Sequence, residues 1–218
     1  MGDQFRVPTL DAAGLRMDRA GFGIRLRDAL HDTGVCYLTG AEIRRLPVAD
    51  VLTATREYFA GAPESGVVDF SRLREDATTS ALRQVVSEWA WGLAELSTEL
   101  LGALAQALGQ PEDWFDRRVG REVRPQLLHA RPNPEGAVHG DTGFLTFLLP
   151  DLLCGLRIGD DLEVAPRENA VLLTLGPAAE SATAGYLRAV PHRMWSPHAH
   201  KSRVGVTVAV GPSGDAPN

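Results

Sequence analysis

The sequence has few cysteines, no excess of basic residues and no long apolar run. Cys36 and Cys154 stand in apolar stretches, where a reduced cysteine packs as a small hydrophobic residue, so we expect no disulfide. The 22 basic and 28 acidic residues leave a net charge of −6, which argues against a nucleic-acid partner. No stretch approaches the roughly 20 apolar residues of a membrane span, and the first residues form no apolar export segment. We therefore expect a cytoplasmic protein that binds neither membranes nor nucleic acids.

Linkers between folding units are also absent. Hydrophobic residues make up 44% and charged residues 23% of the 218 residues, which is ordinary for a globular protein. No Pro/Gly/Ser-rich stretch is long enough to separate two domains. We predict one domain over residues 1–218, with a helical part at 1–120 and a β-rich core at 121–212.

The first half of the chain carries helical patterns. Apolar residues recur every three or four positions over residues 78–108, before Gly109, which predicts one long amphipathic helix packed against the core. Gly92 and Gly102 inside it each cost about 1 kcal/mol relative to alanine, so we expect them to mark close approaches to other elements. The remaining predictions for this half are helices at 18–32 and 48–59 and a polar loop at 64–77.

From residue 123 onward the pattern changes to short, closely spaced strands. Apolar runs alternate with clusters of Pro, Gly, Asp and Asn, which is typical of β-structure. Helices followed by such strands indicate a mainly β fold with N-terminal helices, namely a jelly roll, or double-stranded β-helix, buttressed by α-helices. The predicted strands are 5–10, 34–40, 123–130, 137–141, 144–149, 153–158, 162–165, 170–175, 186–194 and 204–210.

His139 and Asp141 stand two residues apart, between a turn-rich segment and an apolar run. Alternate residues of a strand point to one side, so an imidazole nitrogen and a carboxylate oxygen can meet at one point. These ligands suit a divalent first-row metal, and His192 is the candidate third ligand of a two-histidine-one-carboxylate site for non-haem iron(II). His198 and His200 also have ligand spacing, but their polar loop favours the first set.

A series of short motifs extends this pattern along the chain. They are Val7-Pro-Thr-Leu-Asp11, Thr33-Gly-Val-Cys-Tyr-Leu38, His139-Gly-Asp-Thr-Gly-Phe-Leu-Thr146, Gly155-Leu-Arg-Ile158, Thr183-Ala-Gly-Tyr186 and His192-Arg-Met194. In this order and spacing they resemble the 2-oxoglutarate-dependent iron(II) dioxygenases of the isopenicillin N synthase type, over residues 5–210. The resemblance implies the jelly roll that the strands indicate. It also implies that His139, Asp141 and His192 bind iron(II) and that 2-oxoglutarate is the cosubstrate.

Cosubstrate binding in that family uses an Arg-x-Ser motif on the last core strand. The resemblance assigns the arginine's role to Arg203, whose planar guanidinium suits the far carboxylate of 2-oxoglutarate. Gly205 lacks the serine hydroxyl, so Thr207, Ser202 or water would supply the missing donor. Lys201 is an alternative anion binder, but an ammonium lacks the planar fork.

A second departure from the family lies upstream. The family's Asn-Tyr-Tyr-Pro is replaced by His129-Ala-Arg131-Pro132, so the tyrosine that often helps to hold the cosubstrate is absent. Arg131 is either a contact to a substrate carboxylate or a solvated loop residue.

The resemblance implies an oxygenase that hydroxylates, desaturates or cyclises a small, amino-acid-derived metabolite, as in bacterial natural-product pathways such as antibiotic biosynthesis. Residues 60–80 are short for the family and little sequence follows the last strand, so we expect an open site. A substrate tethered to a carrier protein, or a homo-oligomer partner, would cover it. One alternative is an iron oxidase of the same fold that uses dioxygen without 2-oxoglutarate. The other is a non-catalytic jelly-roll binding or scaffold protein, which an intact ligand set opposes because unpaired buried polar groups are costly.

Overall fold

Helices lead the chain and strands dominate its second half. The computed structural model describes residues 6–60, 65–119, 122–130, 140–141, 143–153, 155–159, 162–195 and 201–211. The helices are α1 (Gly14–Met17), α2 (Arg19–Asp32), α3 (Ala41–Arg44), α4 (Val48–Tyr58), α5 (Ser80–Ala107), α6 (Asp116–Val119) and α7 (Pro177–Ala182), with a 3-10 turn at Phe70–Arg72. The strands are β1 (Thr9–Asp11), β2 (Val35–Thr39), β3 (Gly66–Asp69), β4 (Val123–Ala130), β5 (Leu145–Pro150), β6 (Gly155–Ile158), β7 (Leu162–Val164), β8 (Val171–Leu175), β9 (His192–Trp195) and β10 (Arg203–Val210).

The long helix α5 confirms the periodicity argument, because its recurring apolar residues are buried along one stripe. The two glycines inside it lie at close approaches, as expected. A Cβ at Gly92 would lie 2.3 Å from Cδ2 of Leu46, and a Cβ at Gly102 would lie 2.7 Å from Nη2 of Arg19. Neither position has room for a larger side chain unless the neighbouring side chain moves.

Helix α2 packs along α5 through a backbone contact. Asp18 caps α2, since its Oδ1 accepts a hydrogen bond from the Gly21 amide at 3.0 Å. One turn later, a Cβ at Gly23 would lie only 2.5 Å from the Ala103 carbonyl oxygen, so glycine permits this distance between the helices. Together α2, α4 and α5 form a helical layer against the sheet.

Two sheets make up the β-rich part. The larger has seven strands in the order β1-β2-β8-β5-β10-β4-β3, and the smaller has three in the order β7-β6-β9. Strands β1 and β2 pair in parallel, and the other pairs are antiparallel. Strands distant in sequence are neighbours, which is the topology of a jelly roll. The predicted fold class, mainly β with N-terminal helices, is confirmed.

Buried apolar residues lie on both sides of the seven-stranded sheet. The larger cluster joins the helices to what we call the helix-side face, and Trp89 of α5, Phe147 of β5 and Val206 of β10 belong to it. The smaller cluster lies between the two sheets. It covers the inner face of the large sheet and includes Tyr37, Leu148, Leu156, Leu172 and Met194.

Three segments differ from the sequence-based prediction. The stretch predicted as a polar loop contains β3, in which Val67 and Val68 are β-branched residues that favour a strand, and which pairs with β4 at the edge of the sheet. Of the strand predicted at 186–194, only residues 192–194 are in a strand, as part of β9, whereas residues 186–191 follow a turn with positive φ at Ala184 (51°) and Gly185 (81°) and have no regular structure. Of the strand predicted at 137–141, residues 140–141 are not in a strand and 137–139 lie outside the described residues.

None of the helices in the described ranges combines the length and the apolar character needed to cross a bilayer.

Candidate functional site

Strand β10 shows how the sheet separates its two faces. Val204, Val206, Val208 and Val210 point to the helix-side face and belong to the larger apolar cluster. The alternate positions, from Arg203 to Ala209, therefore lie on the inner face. Thr207 stands directly opposite Leu148 of the inner cluster in the β5 pairing, which agrees with this orientation. The inner face of β10 thus carries Arg203, Gly205 and Thr207, the three positions that the sequence analysis considered for cosubstrate binding.

His192 lies on the three-stranded sheet and faces the same interior. It opens β9 opposite Ile158, and Met194, two residues on, belongs to the inner cluster. The side chain is buried, with 3% of the residue exposed, and Nδ1 lies 3.1 Å from the Val190 carbonyl oxygen. Because a carbonyl oxygen only accepts, Nδ1 is the donor in this contact, and Nε2 is the nitrogen that would bind a metal. A histidine held through one nitrogen in this way is oriented for metal ligation through the other.

Asp141 is held against the large sheet by one hydroxyl group. The Thr174 hydroxyl of β8 donates a hydrogen bond to Asp141 Oδ2 at 2.5 Å. Thr174 is 1% exposed and, by alternation with Leu172, lies on the inner face. The Asp141 carboxylate therefore lies at the wall opposite His192, with the interior of the jelly roll between them.

A second threonine stands next to Thr174. Thr146 of β5 is its direct cross-strand partner, and such pairs have Cβ atoms about 4.5–5.5 Å apart. Thr146 is 3% exposed, and its Oγ1 has no hydrogen-bond partner within the part of the chain that the structure describes. A buried hydroxyl normally forms a hydrogen bond. Thr146 Oγ1 is therefore placed to form one with a ligand that enters this part of the interior.

Arg203 is almost completely buried, at 1% exposed, although arginine is rarely found in that state. It begins β10 and stands opposite Ala130 of β4. Lys201, the alternative anion binder, is exposed. A buried guanidinium on the inner face is therefore better placed to meet an anion in the interior than the exposed ammonium.

The backbone next to Arg203 is fixed by a buried carboxylate. Asp151 is 1% exposed, and its Oδ2 accepts from the Val204 amide while its Oδ1 accepts from the Leu153 amide, each at 3.0 Å. Arg56 of α4 approaches Oδ2 at 3.9 Å. Asp151 was not predicted from the sequence. The signal that could have found it is an aspartate directly after a predominantly apolar strand, all of whose residues are buried.

The predicted ligand set is described only in part. Within the described ranges, no three His, Cys, Asp or Glu side chains form a group that could hold a metal ion. His139 lies outside these ranges, as do Arg131, His198 and His200. Asp141 and His192, which the structure does describe, lie on opposite walls of one interior.

His129 takes no part in this interior. Its ring stacks on Phe59 of the helical layer, with centroids 4.9 Å apart, so it lies on the helix-side face. The next residue, Ala130, belongs to the inner face and stands beside Arg203 in the register. Of the two tyrosine positions of the family motif, position 130 therefore carries a methyl group on the inner face, and position 131 lies outside the described residues.

A cavity of about 570 Å³ lies elsewhere, on the helix side of the sheet. Asp141, His192 and Arg203 are not among the residues that line it, so this cavity is separate from the candidate site. Its lining includes Phe70, Trp91, Glu95, Val123, Pro125 and Val210.

Comparisons with known proteins agree with this geometry. Residues 123–212 match the model of the 2OG-Fe(II) oxygenase superfamily. Jasmonate-induced oxygenase 2 of Arabidopsis thaliana is 29% identical over 149 residues, which cover 62% of this chain and 40% of that protein. 1-Aminocyclopropane-1-carboxylate oxidase 4 of the same organism is 25% identical over 191 residues, which cover 81% of this chain and 58% of that protein. This chain thus spans less than two thirds of each of these relatives.

The fold is similar to that of solved structures. The binary complex of the Arabidopsis thaliana dioxygenase for auxin oxidation 1 with 2-oxoglutarate superimposes with a TM-score of 0.70 and 19% sequence identity, covering 95% of this chain and 93% of that one. At this identity the likeness concerns the fold. Taken together, the comparisons support the 2OG-Fe(II) oxygenase superfamily, whereas the resemblance to the isopenicillin N synthase branch stays a prediction.

Proposed function

We propose that this chain is an iron(II)- and 2-oxoglutarate-dependent oxygenase acting on a small molecule. One observation carries the proposal: Asp141, His192 and buried Arg203, the residue types for a metal and a dicarboxylate, all lie on the walls of a single interior. The match to the superfamily model over residues 123–212 supports the same chemistry.

The donor set fits iron(II). Carboxylate and imidazole are its usual protein ligands in non-haem sites, and His139 would complete the set with Asp141 and His192. When bound, iron(II) supplies the redox chemistry that lets dioxygen oxidise 2-oxoglutarate and a substrate C–H bond together. In a hydroxylation, one oxygen atom enters succinate, carbon dioxide leaves, and the other oxygen atom forms the new hydroxyl.

Arg203 would hold the far carboxylate of 2-oxoglutarate. A guanidinium pairs with a carboxylate through two parallel hydrogen bonds, and burial at the start of β10 excludes competing water. Thr207, on the same strand face, would supply the hydroxyl that Gly205 lacks. A Cβ at Gly205 would lie 3.2 Å from the Leu149 carbonyl oxygen, so a serine there would require a small movement of β5.

The finer proposal concerns the substrate. We propose a small, amino-acid-derived metabolite of a bacterial natural-product pathway, either free or tethered to a carrier protein. Support comes from four relatives, whose names contain the amino acid 1-aminocyclopropane-1-carboxylate, and otherwise from family analogy. A carrier protein or a second copy of the chain would cover the mouth of the interior.

An iron oxidase that works without 2-oxoglutarate is the second candidate. Gly205 and the missing tyrosine favour it, because each departure removes a hydroxyl that the family uses for cosubstrate binding. A relative named an oxidase also covers 81% of this chain. Buried Arg203 opposes it, since a guanidinium on the inner face is suited to bind the carboxylate of a cosubstrate.

The test is an anaerobic titration of the protein with Fe(II) and then 2-oxoglutarate. We expect the weak visible charge-transfer band that chelation of 2-oxoglutarate at iron produces, and its loss in Asp141→Ala and His192→Ala. Admission of dioxygen should then yield succinate, at a rate that rises when a true substrate is present. Oxygen uptake without succinate would favour the oxidase, and the absence of band, uptake and succinate would favour a binding or scaffold protein.

A further inference from the structure

We infer that Thr174 is a positioning residue for Asp141, one that decides which carboxylate oxygen binds the metal. The inference rests on the proposed function, since it assigns a task within that metal site. A threonine hydroxyl has one proton to donate, and here the proton is directed to Asp141 Oδ2 at 2.5 Å. The other acceptor within reach, the Thr146 carbonyl oxygen, is 3.4 Å away. Oδ2 is therefore engaged by the protein, and Oδ1 is the oxygen left to bind a metal.

The anchor is more rigid than the residue that it orients. Thr174 lies in β8, which pairs with β2 on one side and with β5 on the other, so its backbone is fixed from both edges. Its β-branched side chain also has restricted χ1 rotation. Asp141, by contrast, belongs to no strand. One rigid hydroxyl thus sets the orientation of a carboxylate whose own backbone has no such support.

The neighbouring Thr146 is an independent sign that a ligand enters this corner. Its hydroxyl is buried on the same inner face, directly across from Thr174, and no described residue satisfies it. A purely structural contact between a loop and a strand would not require this second hydroxyl. Beside a metal site, it offers a hydrogen bond to a group that arrives with the metal.

Outer-shell partners of metal ligands typically change metal affinity by 10–100-fold when they are removed. Co(II) is a suitable probe because it is stable in air and its visible spectrum reports the ligand geometry. We expect Thr174→Val, which keeps the shape and removes the hydroxyl, to bind Co(II) at least tenfold more weakly and with an altered spectrum. Thr174→Ser, which keeps the hydroxyl, should stay within about threefold of the wild type.

A matched control is Thr55→Val in α4. Thr55 is also completely buried, and its hydroxyl donates to the Val51 carbonyl oxygen at 2.7 Å, in the helical layer rather than on the inner face. Its loss should leave Co(II) affinity unchanged. Circular dichroism and the free energy of unfolding of the metal-free proteins establish that each variant is folded. Thr174→Ala provides a second hydroxyl-free variant if Thr174→Val does not fold.

The outcomes separate this inference from the proposed function. Wild-type protein that does not bind Co(II) would overturn the metal site and the inference with it. Wild-type protein that binds, with Thr174→Val or Thr174→Ala binding equally tightly, would overturn only the inference. Equal losses in Thr174→Val and Thr174→Ser would also overturn it, because the hydroxyl would then not be the cause.

Discussion

The two faces of the seven-stranded sheet are built from different residues, and β10 shows the contrast within one strand. Its helix-side positions are four valines, each no more than 4% exposed. Its inner positions are Arg203, Gly205, Thr207 and Ala209, of which none is a large apolar residue. The same backbone therefore supports a hydrophobic core on one side and a polar wall on the other.

The difference shows where stability and chemistry are located. Burial of a valine, leucine or phenylalanine contributes about 1.5–3 kcal/mol, so the helix-side face accounts for much of the folding free energy. On the inner face, apolar packing by residues such as Tyr37 and Leu172 is confined to one region. Thr146, Thr174 and Asp141 occupy another, where polar groups are kept for a ligand. A change on one face should therefore affect stability, and a change on the other should affect binding.

Phe147→Ala provides the largest test of this separation. Phe147 is completely buried in the helix-side cluster, and removal of a buried phenylalanine side chain costs about 3–5 kcal/mol. We expect urea unfolding to show a loss of this size, while Co(II) affinity of the folded variant stays within about twofold of the wild type. A tenfold loss of affinity would mean that the two faces are not independent.

Asp151→Ala tests a residue that should affect both stability and binding, because Asp151 holds the backbone of β10 next to Arg203. The substitution removes the acceptor of the buried Val204 amide, at about 1–3 kcal/mol, and that of the half-buried Leu153 amide, at less. We expect a loss of about 2–4 kcal/mol in the free energy of unfolding and, because Val204 follows Arg203, several-fold weaker 2-oxoglutarate binding. Asp151→Asn, which keeps one acceptor oxygen, should lose less of both. Unchanged cosubstrate affinity in Asp151→Ala would restrict the role of Asp151 to stability.

Arg203→Leu should affect binding more than folding. A charge-assisted hydrogen-bonded pair contributes about 1.5–3 kcal/mol, which corresponds to tenfold or greater weakening of 2-oxoglutarate binding. Titration of the visible band with 2-oxoglutarate measures this change, and Co(II) affinity should not follow it. Lys201→Leu is the matched control, since Lys201 is exposed and should have no effect. If Lys201→Leu weakened 2-oxoglutarate binding and Arg203→Leu did not, the anion binder would be Lys201.

Residue patterns predicted most of the longer elements, but not the contacts between distant segments. The spacing of apolar residues predicted α5, and the apolar run at 204–210 predicted β10. The Thr174–Asp141 and Asp151–Val204 contacts join residues 33 and 53 positions apart, so they depend on which strands become neighbours. No local pattern encodes that choice. Strand β3 was missed because its two valines form a very short apolar run within a mostly polar stretch, and its pairing with the distant strand β4 is not encoded locally.

The smallest expected effect tests whether water is excluded from the helix-side face, and it is measured through the ionisation of Cys36. Cys36 lies in β2 within the helix-side cluster, is completely buried, and burial raises the pKa of its thiol to about 12. In the unfolded chain a cysteine has a pKa of about 8.5. Between these values the folded protein keeps a proton that the unfolded chain loses, so stability is complete below about pH 8.5 and falls as the pH rises. By about pH 9.5 the loss should be about 1.4 kcal/mol.

The comparison of wild type with Cys36→Ala isolates the pH-dependent stability contributed by the Cys36 thiol, because the other titrating groups are common to both proteins. Tyr37, the next residue, points to the inner face, and burial raises its pKa as well, but this contribution is the same in both proteins. We expect the wild-type free energy of unfolding to fall more steeply than that of Cys36→Ala between about pH 8 and 9.5, measured by urea unfolding. Parallel curves would mean that water reaches the thiol. The helix-side face would then not be the dry core that distinguishes it from the inner face.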